Sequence, residues 1–307
     1  MSPTTRFAPA PTGLLHLGHV ANAIHVWALA RRVGGSVVLR IEDHDRERSR
    51  STFEVALLED VEWLGFVPDA PSSAELRSGA ASSYRQSDNG PVYAEALAQL
   101  RRAVAVYACD CSRATFASWS RREGRAWSGP GCPGGCRLRN LAPADGLSLR
   151  AELGDGEERW VDRLLGARSG PVAGGGDLIV RDRNGSWTYS FAVVVDDLRH
   201  GVDIVVRGDD LVVDTPRQIR LGRLLGREVA PAFAHHPLVL RADGSKLSKS
   251  AGDTGVRELR GRGWTAADVV GAAAAAVGLV DAWRPIAASD VTALVGPRLG
   301  APVAATR

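Results

Sequence analysis

Lysine is almost missing from this chain of 307 residues. Of its 38 basic residues only Lys246 and Lys249 are lysines, and the rest are arginines. Long apolar runs are missing too. The apolar tract Val269 to Val280 is too short, and too rich in alanine and glycine, for a membrane span. The N-terminus lacks the basic, apolar and small-residue order of a secretion signal. These two absences predict a cytoplasmic protein with no membrane partner, whose thiols stay reduced. A large excess of one charge is also lacking. The net charge of +3 and pI near 8.8 do not by themselves announce a polyanionic partner. Cysteine is scarce, with four in all.

What is present is a globular composition. Hydrophobic residues make up 45% and charged residues 24%, enough apolar material for a buried core. The length allows one large domain or two ordinary ones. Arginines gather at Arg121, Arg122 and Arg125, then at Arg137 and Arg139. They fit either a nucleic-acid path, with Trp119 and Trp127 as stacking candidates, or a solvated face.

The two lysines share one segment, Lys246-Leu247-Ser248-Lys249-Ser250. Arginine does not replace lysine where a compact ammonium on a flexible stem must reach a phosphate as a point charge. In a chain that otherwise avoids lysine, this segment reads as a phosphate-handling loop. The alternative is chance clustering on a surface loop.

The N-terminal part runs from an extended start through Pro9, Pro11 and Gly13 into His16-Leu17-Gly18-His19. The spacing of Ala23, Ile24, Trp27 and Ala28 predicts a helix from about Val20 to Arg32, stopped by Gly34 and Gly35. Ser36 to Ile41 then reads as a buried strand. This order suggests a βαβ unit and a parallel sheet. Further helices are predicted over Thr52 to Leu64, Val92 to Ala105, Thr215 to Leu225 and residues 255–280. Leu178 to Arg181, Trp187 to Val195 and Asp203 to Arg207 read as strand-like apolar runs. Residues 106–175 differ in composition, with all four cysteines, much glycine and proline, and little periodicity. The expected organisation is therefore a catalytic domain in two halves, 1–105 and 176–254, around an insertion at 106–175, followed by a short helical region at 255–307.

Two constellations carry chemistry. In the first, Gly18 lets a ring or phosphate approach the backbone, and His16 and His19 sit at a helix start where the dipole favours negative charge. A pair of capping or zinc-binding histidines is the alternative. The second is Cys109-Asp110-Cys111 followed, twenty residues on, by Cys132-Pro133-Gly134-Gly135-Cys136. Two close pairs in a cytosolic chain fit a tetrahedral zinc site better than disulfides. Four thiolates leave no open coordination position, so one structural Zn²⁺ is expected, with no catalytic role.

The His16-Leu17-Gly18-His19 and Lys246-Leu247-Ser248-Lys249-Ser250 pair resembles the two ATP-binding motifs of class I aminoacyl-tRNA synthetases. Arg6 to Gly13, Arg40 to Asp45, and Val206 to Leu211 followed by Thr215-Pro216-Arg217-Gln218, resemble the glutamyl branch. The resemblance runs from about residue 4 to residue 252. It implies an α/β class I synthetase fold, with a Rossmann-like parallel sheet, a zinc-bearing insertion and a short helical C-terminal region. It also implies an ATP-dependent ligase that forms an aminoacyl-adenylate. His16, Gly18, His19 and Lys249 would then bind ATP, with His16, His19, Lys246 and Lys249 catalytic and Mg²⁺ accompanying the nucleotide. Arg6, Phe7, Ala8, Pro9, Ala10, Glu42, Tyr189 and Arg207 would bind L-glutamate, Glu42 on the ammonium and Arg207 favouring glutamate over glutamine. A structural ion pair between Arg207 and Glu42 is the bland alternative. Ala10 replaces the family's usual serine, so only a backbone contact carries over there.

Little chain follows Ser250, and the cysteine pattern is similar to that of the glutamyl-Q tRNA(Asp) synthetases, where Cys-x-Cys is usually followed by Tyr-x-x-x-Cys. Cys132 stands at the tyrosine position. That resemblance implies a monomer that activates glutamate without tRNA and attaches it to queuosine in the anticodon of tRNA(Asp). The runner-up is a truncated glutamyl-tRNA synthetase charging the 3′ end of tRNA(Glu). A catalytically silent RNA-binding zinc protein is the third reading.

Overall fold

The computed structural model describes residues 2–124, 132, 135–173, 176–240 and 255–296. The lysine segment lies outside the described residues, as do Arg125, Trp127 and most of the glycines between the cysteine pairs.

Two sheets organise the chain. The larger has six strands in the order β2 (Ser36–Leu39), β1 (Thr4–Phe7), β8 (Ile204–Gly208), β9 (Ala232–His236), β5 (Glu157–Asp162) and β6 (Gly166–Pro171). The first five are mutually parallel, and β6 returns antiparallel to β5. The smaller sheet is antiparallel, β3 (Val106–Cys109), β4 (Ser148–Ala151) and β7 (Leu178–Arg181). The segment that composition sets apart, 106–175, is therefore divided: β3 and β4 build the smaller sheet, while β5 and β6 extend the larger one.

Helix α1 (Leu17–Arg32) crosses from β1 to β2, and the chain later returns to the other side of β1 as β8. Strand order therefore diverges between β1 and β8. In open parallel sheets, ligands bind beyond the strand carboxyl ends at such a point. Arg6, Arg207 and His236 lie at or near those ends, and Arg40 follows β2 directly.

Helix α1 is buried along most of its length, from Val20 to Ala30. Its small residues allow close packing against α10 (Ala266–Ala276), whose alanine run is core and not a functional tract. Gly271 of α10 is obligatory, because a Cβ there would meet the Arg284 carbonyl oxygen at 1.8 Å. Helices α2 (Ser51–Leu64), α3 (Ser73–Arg77) and α9 (Val256–Gly261) complete this face. A second core joins α4 (Gly90–Ala103), α7 (Tyr189–Arg199) and α8 (Thr215–Leu224) to the smaller sheet. Helices α5 (Arg113–Glu123) and α6 (Gly135–Arg139) flank the cysteines. Among the described residues no helix is long and apolar enough to cross a membrane.

One predicted element changes type. Trp187 to Val195 reads as a strand from its apolar residues, yet Tyr189–Arg199 is helical. Phe191 to Val195 is buried on every side, which erases the amphipathic period that separates a short buried helix from a strand.

Candidate active site

Three buried arginines gather at the carboxyl edge of the larger sheet. Arg6 on β1 donates through Nε to both oxygens of Asp197, at 3.2 and 3.3 Å, and through Nη1 to the Val206 carbonyl at 2.9 Å. Arg40, with no exposed surface, donates to Asp197 at 2.7 Å and to Glu42 at 2.9 Å. Burial opposes its charge, but Asp197, Glu42 and Asp196 outweigh that and raise its pKa above the usual guanidinium range. Burial likewise opposes the charge on Asp197, and Arg6 and Arg40 more than offset it, holding the carboxyl below its usual range. The helix α7 supplies both Asp196 and Asp197, so the element misread as a strand is the one that anchors these arginines.

Arg207 on β8 is different. It is 4% exposed, and among the described residues no carboxylate lies within ion-pair distance of it. Its Nε donates to His235 Nε2 at 3.0 Å, its Nη1 to Gln218, and its Nη2 to Thr215 Oγ1 at 2.8 Å and to the Leu211 carbonyl at 3.3 Å. Its guanidinium also lies 5.3 Å from the centre of the Phe233 ring. Burial lowers its pKa, and Tyr189 nearby opposes that shift. Arginine nevertheless stays charged in a protein. Among the described residues, Arg207 is thus a desolvated cation hydrogen-bonded to neutral groups alone. The proposed ion pair with Glu42 does not form, since Glu42 pairs with Arg40.

His235 fixes this geometry. It is the register neighbour of Arg207 across the β8–β9 ladder. Because its Nε2 accepts from Arg207, its ring proton sits on Nδ1, which donates to Asp162 at the end of β5. Asp162 Oδ1 also accepts from the backbone of Leu164 at 3.0 Å and Leu165 at 2.9 Å. Burial raises the Asp162 pKa, but His235 and these amides more than compensate and lower it. Three adjacent strands therefore contribute an Asp162–His235–Arg207 relay, absent from the sequence reading. Tyr189, at the start of α7, keeps its phenolic proton because burial and Glu42 raise its pKa. Phe7 packs edge-on against Trp27 in the core, ring centres 5.4 Å apart, so only its backbone is available to a ligand.

The histidine turn caps α1, three residues earlier than the predicted start. His16 Nδ1 accepts from the Gly18 amide and His19 Nδ1 from the His16 amide, both at 3.1 Å. The capping alternative is therefore realised, and it has a chemical consequence. With each Nδ1 accepting, each neutral ring carries its proton on Nε2, a donor suited to phosphate oxygen. A side chain at residue 18 would bring its Cβ to 2.9 Å from the His16 ring, so glycine is required. Gly255 bridges back to His16, and the Val256 amide donates to Leu15 at 2.8 Å.

Cys109, Cys111, Cys132 and Cys136 converge with all four sulfurs within 4.8 Å of one another. Cys111 lies 3.7 Å from Cys132 and 3.3 Å from Cys136, sulfur to sulfur. Four sulfurs about 2.3 Å from a zinc ion stand about 3.8 Å apart, so the cluster is close to that size. All four cysteines are unbridged. The hydrogen bond that the Cys109 thiol donates to Cys132, and burial, raise the Cys109 pKa, and burial followed by Cys136 pushes Cys111 up to about 12. A dication would reverse this by stabilising the thiolates. Arg139 donates to Cys136 at 2.9 Å, and the charge of Arg150 acts on Cys109, which would offset the charge of a tetrathiolate centre.

Residues 3–128 and 145–270 match the family model for tRNA synthetases class I (E and Q), catalytic domain. A glutamyl-Q tRNA(Asp) synthetase of Symbiobacterium thermophilum is 42% identical, over 92% of this chain and 88% of that protein. A glutamate–tRNA ligase of Acidithiobacillus ferrooxidans is 39% identical over 87% of this chain, which spans 56% of it. The glutamate-tRNA synthetase structure from Elizabethkingia anophelis has the same fold, with a TM-score of 0.77 at 23% identity, covering 97% of this chain and 66% of that one.

Proposed function

The chain belongs to the class I tRNA synthetases of the glutamyl and glutaminyl type, and we infer from this that it activates L-glutamate with ATP and transfers it to queuosine in the anticodon of tRNA(Asp). Arg207 carries the amino-acid assignment. A buried cation surrounded by neutral partners is completed by a substrate carboxylate, and four of its five N–H groups are already fixed by the protein. It offers charge and one further N–H, while Tyr189 offers a hydroxyl. A neutral glutamine amide would leave that charge uncompensated.

Glu42 is the acceptor for the substrate ammonium, with the backbone of Arg6 to Ala10 beside it. His16 and His19 donate to the triphosphate at the positive end of α1, and Lys246 and Lys249 close over it. The α-carboxylate attacks the α-phosphorus in line, releasing pyrophosphate. A hydroxyl of the acceptor then attacks the adenylate carbonyl and AMP leaves. Mg²⁺ accompanies ATP. The four cysteines hold one Zn²⁺, whose role when bound is to fix the fold of the smaller sheet.

Similarity to the Symbiobacterium enzyme favours queuosine as the acceptor. Identity of 39% to a glutamate–tRNA ligase supports the second reading, charging of the 3′ end of tRNA(Glu). Labelled glutamate offered to queuosine-containing and to unmodified tRNA(Asp) separates them. Label on the modified tRNA alone is expected. Label on unmodified tRNA, or on tRNA(Glu), selects the second reading.

A further inference from the structure

Beside Tyr189 opens a cavity of about 180 Å³ between the smaller sheet and the starts of α7 and α8. Its walls include Arg150 of β4, Asp177, Asp214 at the start of α8, and Arg217. Both arginines are deeply buried, 2% and 5% exposed. Among the described residues neither has a carboxylate within ion-pair distance, and the Nε of each lacks a hydrogen-bond partner. Arg150 donates to the Asp177 carbonyl at 2.9 Å, and Arg217 to the Gly176 carbonyl. Arg150 also serves Cys109, so Arg217 is the less committed of the two. Burial lowers the Arg217 pKa; Asp214 and Asp177 oppose that shift without reaching ion-pair distance, and the charge of Arg150 adds to it. Two like charges buried together call for an anion between them.

The backbone points the same way. Thr188, Tyr189 and Ser190 line the cavity at the start of α7, an 11-residue helix with no side-chain cap on its first amides. Asp177 and Asp214 make a bare inorganic anion a poor occupant. A ribonucleotide satisfies both sets, with a phosphate on the arginines and hydroxyls as donors to the carboxylates.

We propose that this cavity is the acceptor subsite, in which Arg217, assisted by Arg150, binds a phosphodiester of the acceptor RNA next to the nucleoside that receives glutamate. The proposal rests on the transferase reading above. It gives the second half-reaction two arginines of its own, while Tyr189, which lines the same cavity, is shared with glutamate binding.

Arg217→Gln in the full chain tests it. Glutamate-dependent ATP–pyrophosphate exchange without tRNA should stay within about twofold of the parent, since Arg217 contacts neither ATP nor glutamate in that reading. The KM for tRNA in transfer should rise on the order of 10- to 100-fold, as expected for loss of a charged hydrogen bond. The slope of log affinity against log salt should fall by about 0.7, one phosphate contact fewer on single-stranded RNA. An unchanged tRNA KM and salt slope overturns the proposal. So does an equal loss in exchange, which would place the anion on ATP. Parent protein silent in exchange instead removes the transferase reading itself. Should the variant fail to fold, phosphate-ethylation interference on the unaltered protein decides. One ethylated phosphate adjoining the acceptor nucleoside should block transfer, and indifference at all of them overturns the assignment.

Discussion

His235 offers a perturbation that separates two contacts of one side chain. His235→Asn keeps a donor near the Nδ1 position for Asp162 but removes the acceptor for Arg207 Nε, 3.0 Å away. His235→Gln does the reverse, placing an oxygen near the Nε2 position and withdrawing the donor from Asp162. A hydrogen bond to a charged group contributes about 1.5–3 kcal/mol, and here the abandoned N–H is buried. His235→Asn should therefore raise the glutamate KM in ATP–pyrophosphate exchange roughly 10- to 100-fold. Its kcat and ATP KM should change less than about threefold, because Arg207 binds ground state and transition state alike. His235→Gln should change the glutamate KM far less. It should lose about 1–2 kcal/mol of stability instead, moderated because Asp162 Oδ1 keeps its backbone donors from Leu164, Leu165 and residue 235. Exchange rates against glutamate concentration, with thermal unfolding of the same samples, supply both readouts. Equal KM values for parent and His235→Asn, or identical behaviour of the two variants, would refute the relay.

Cys136→Ser should lower bound zinc from about one per chain by elemental analysis and lower Tm, because a three-thiolate site no longer closes the tetrahedron. Lys249→Arg should slow adenylate formation at least tenfold in single turnover despite its preserved charge, since a planar fork replaces a point charge. Asp60 has no exposed surface and, among the described residues, no hydrogen-bond partner, although Arg257 lies 3.3 Å away. Burial first, only partly opposed by Arg257, raises its pKa to about 6. A raised carboxyl pKa stabilises the fold below the unfolded value near 3.9, and that stability is lost as pH rises through 6. Asp60→Asn should therefore gain in Tm over the parent as pH climbs from 4 to 7, and a constant difference across that range would exclude the assignment.

The legible parts of this molecule were those encoded within a few residues. The cysteine pairs, the capped histidine turn and the alternation of β1, α1 and β2 each lie within one short window. Arg207 was found through its motif, but its surroundings were not. Asp162, Arg207 and His235 come from three separate strands, and only the parallel ladder brings them together. Asp196 and Asp197 were hidden for another reason. They sit in a helix whose uniformly apolar run resembles a strand, and their partners, Arg6 and Arg40, lie more than 150 residues away. The cavity at Arg217 joins β4 and β7 of the smaller sheet to the starts of α7 and α8, which the composition break at 106 does not reveal.

The central claim is most directly tested by crystallising the chain with a non-hydrolysable glutamyl-adenylate analogue. The account predicts the analogue's phosphate within hydrogen-bond distance of His16 or His19 and its γ-carboxylate against Arg207 and Tyr189. A γ-carboxylate bound away from Arg207, or a phosphate far from the histidine turn, would contradict it.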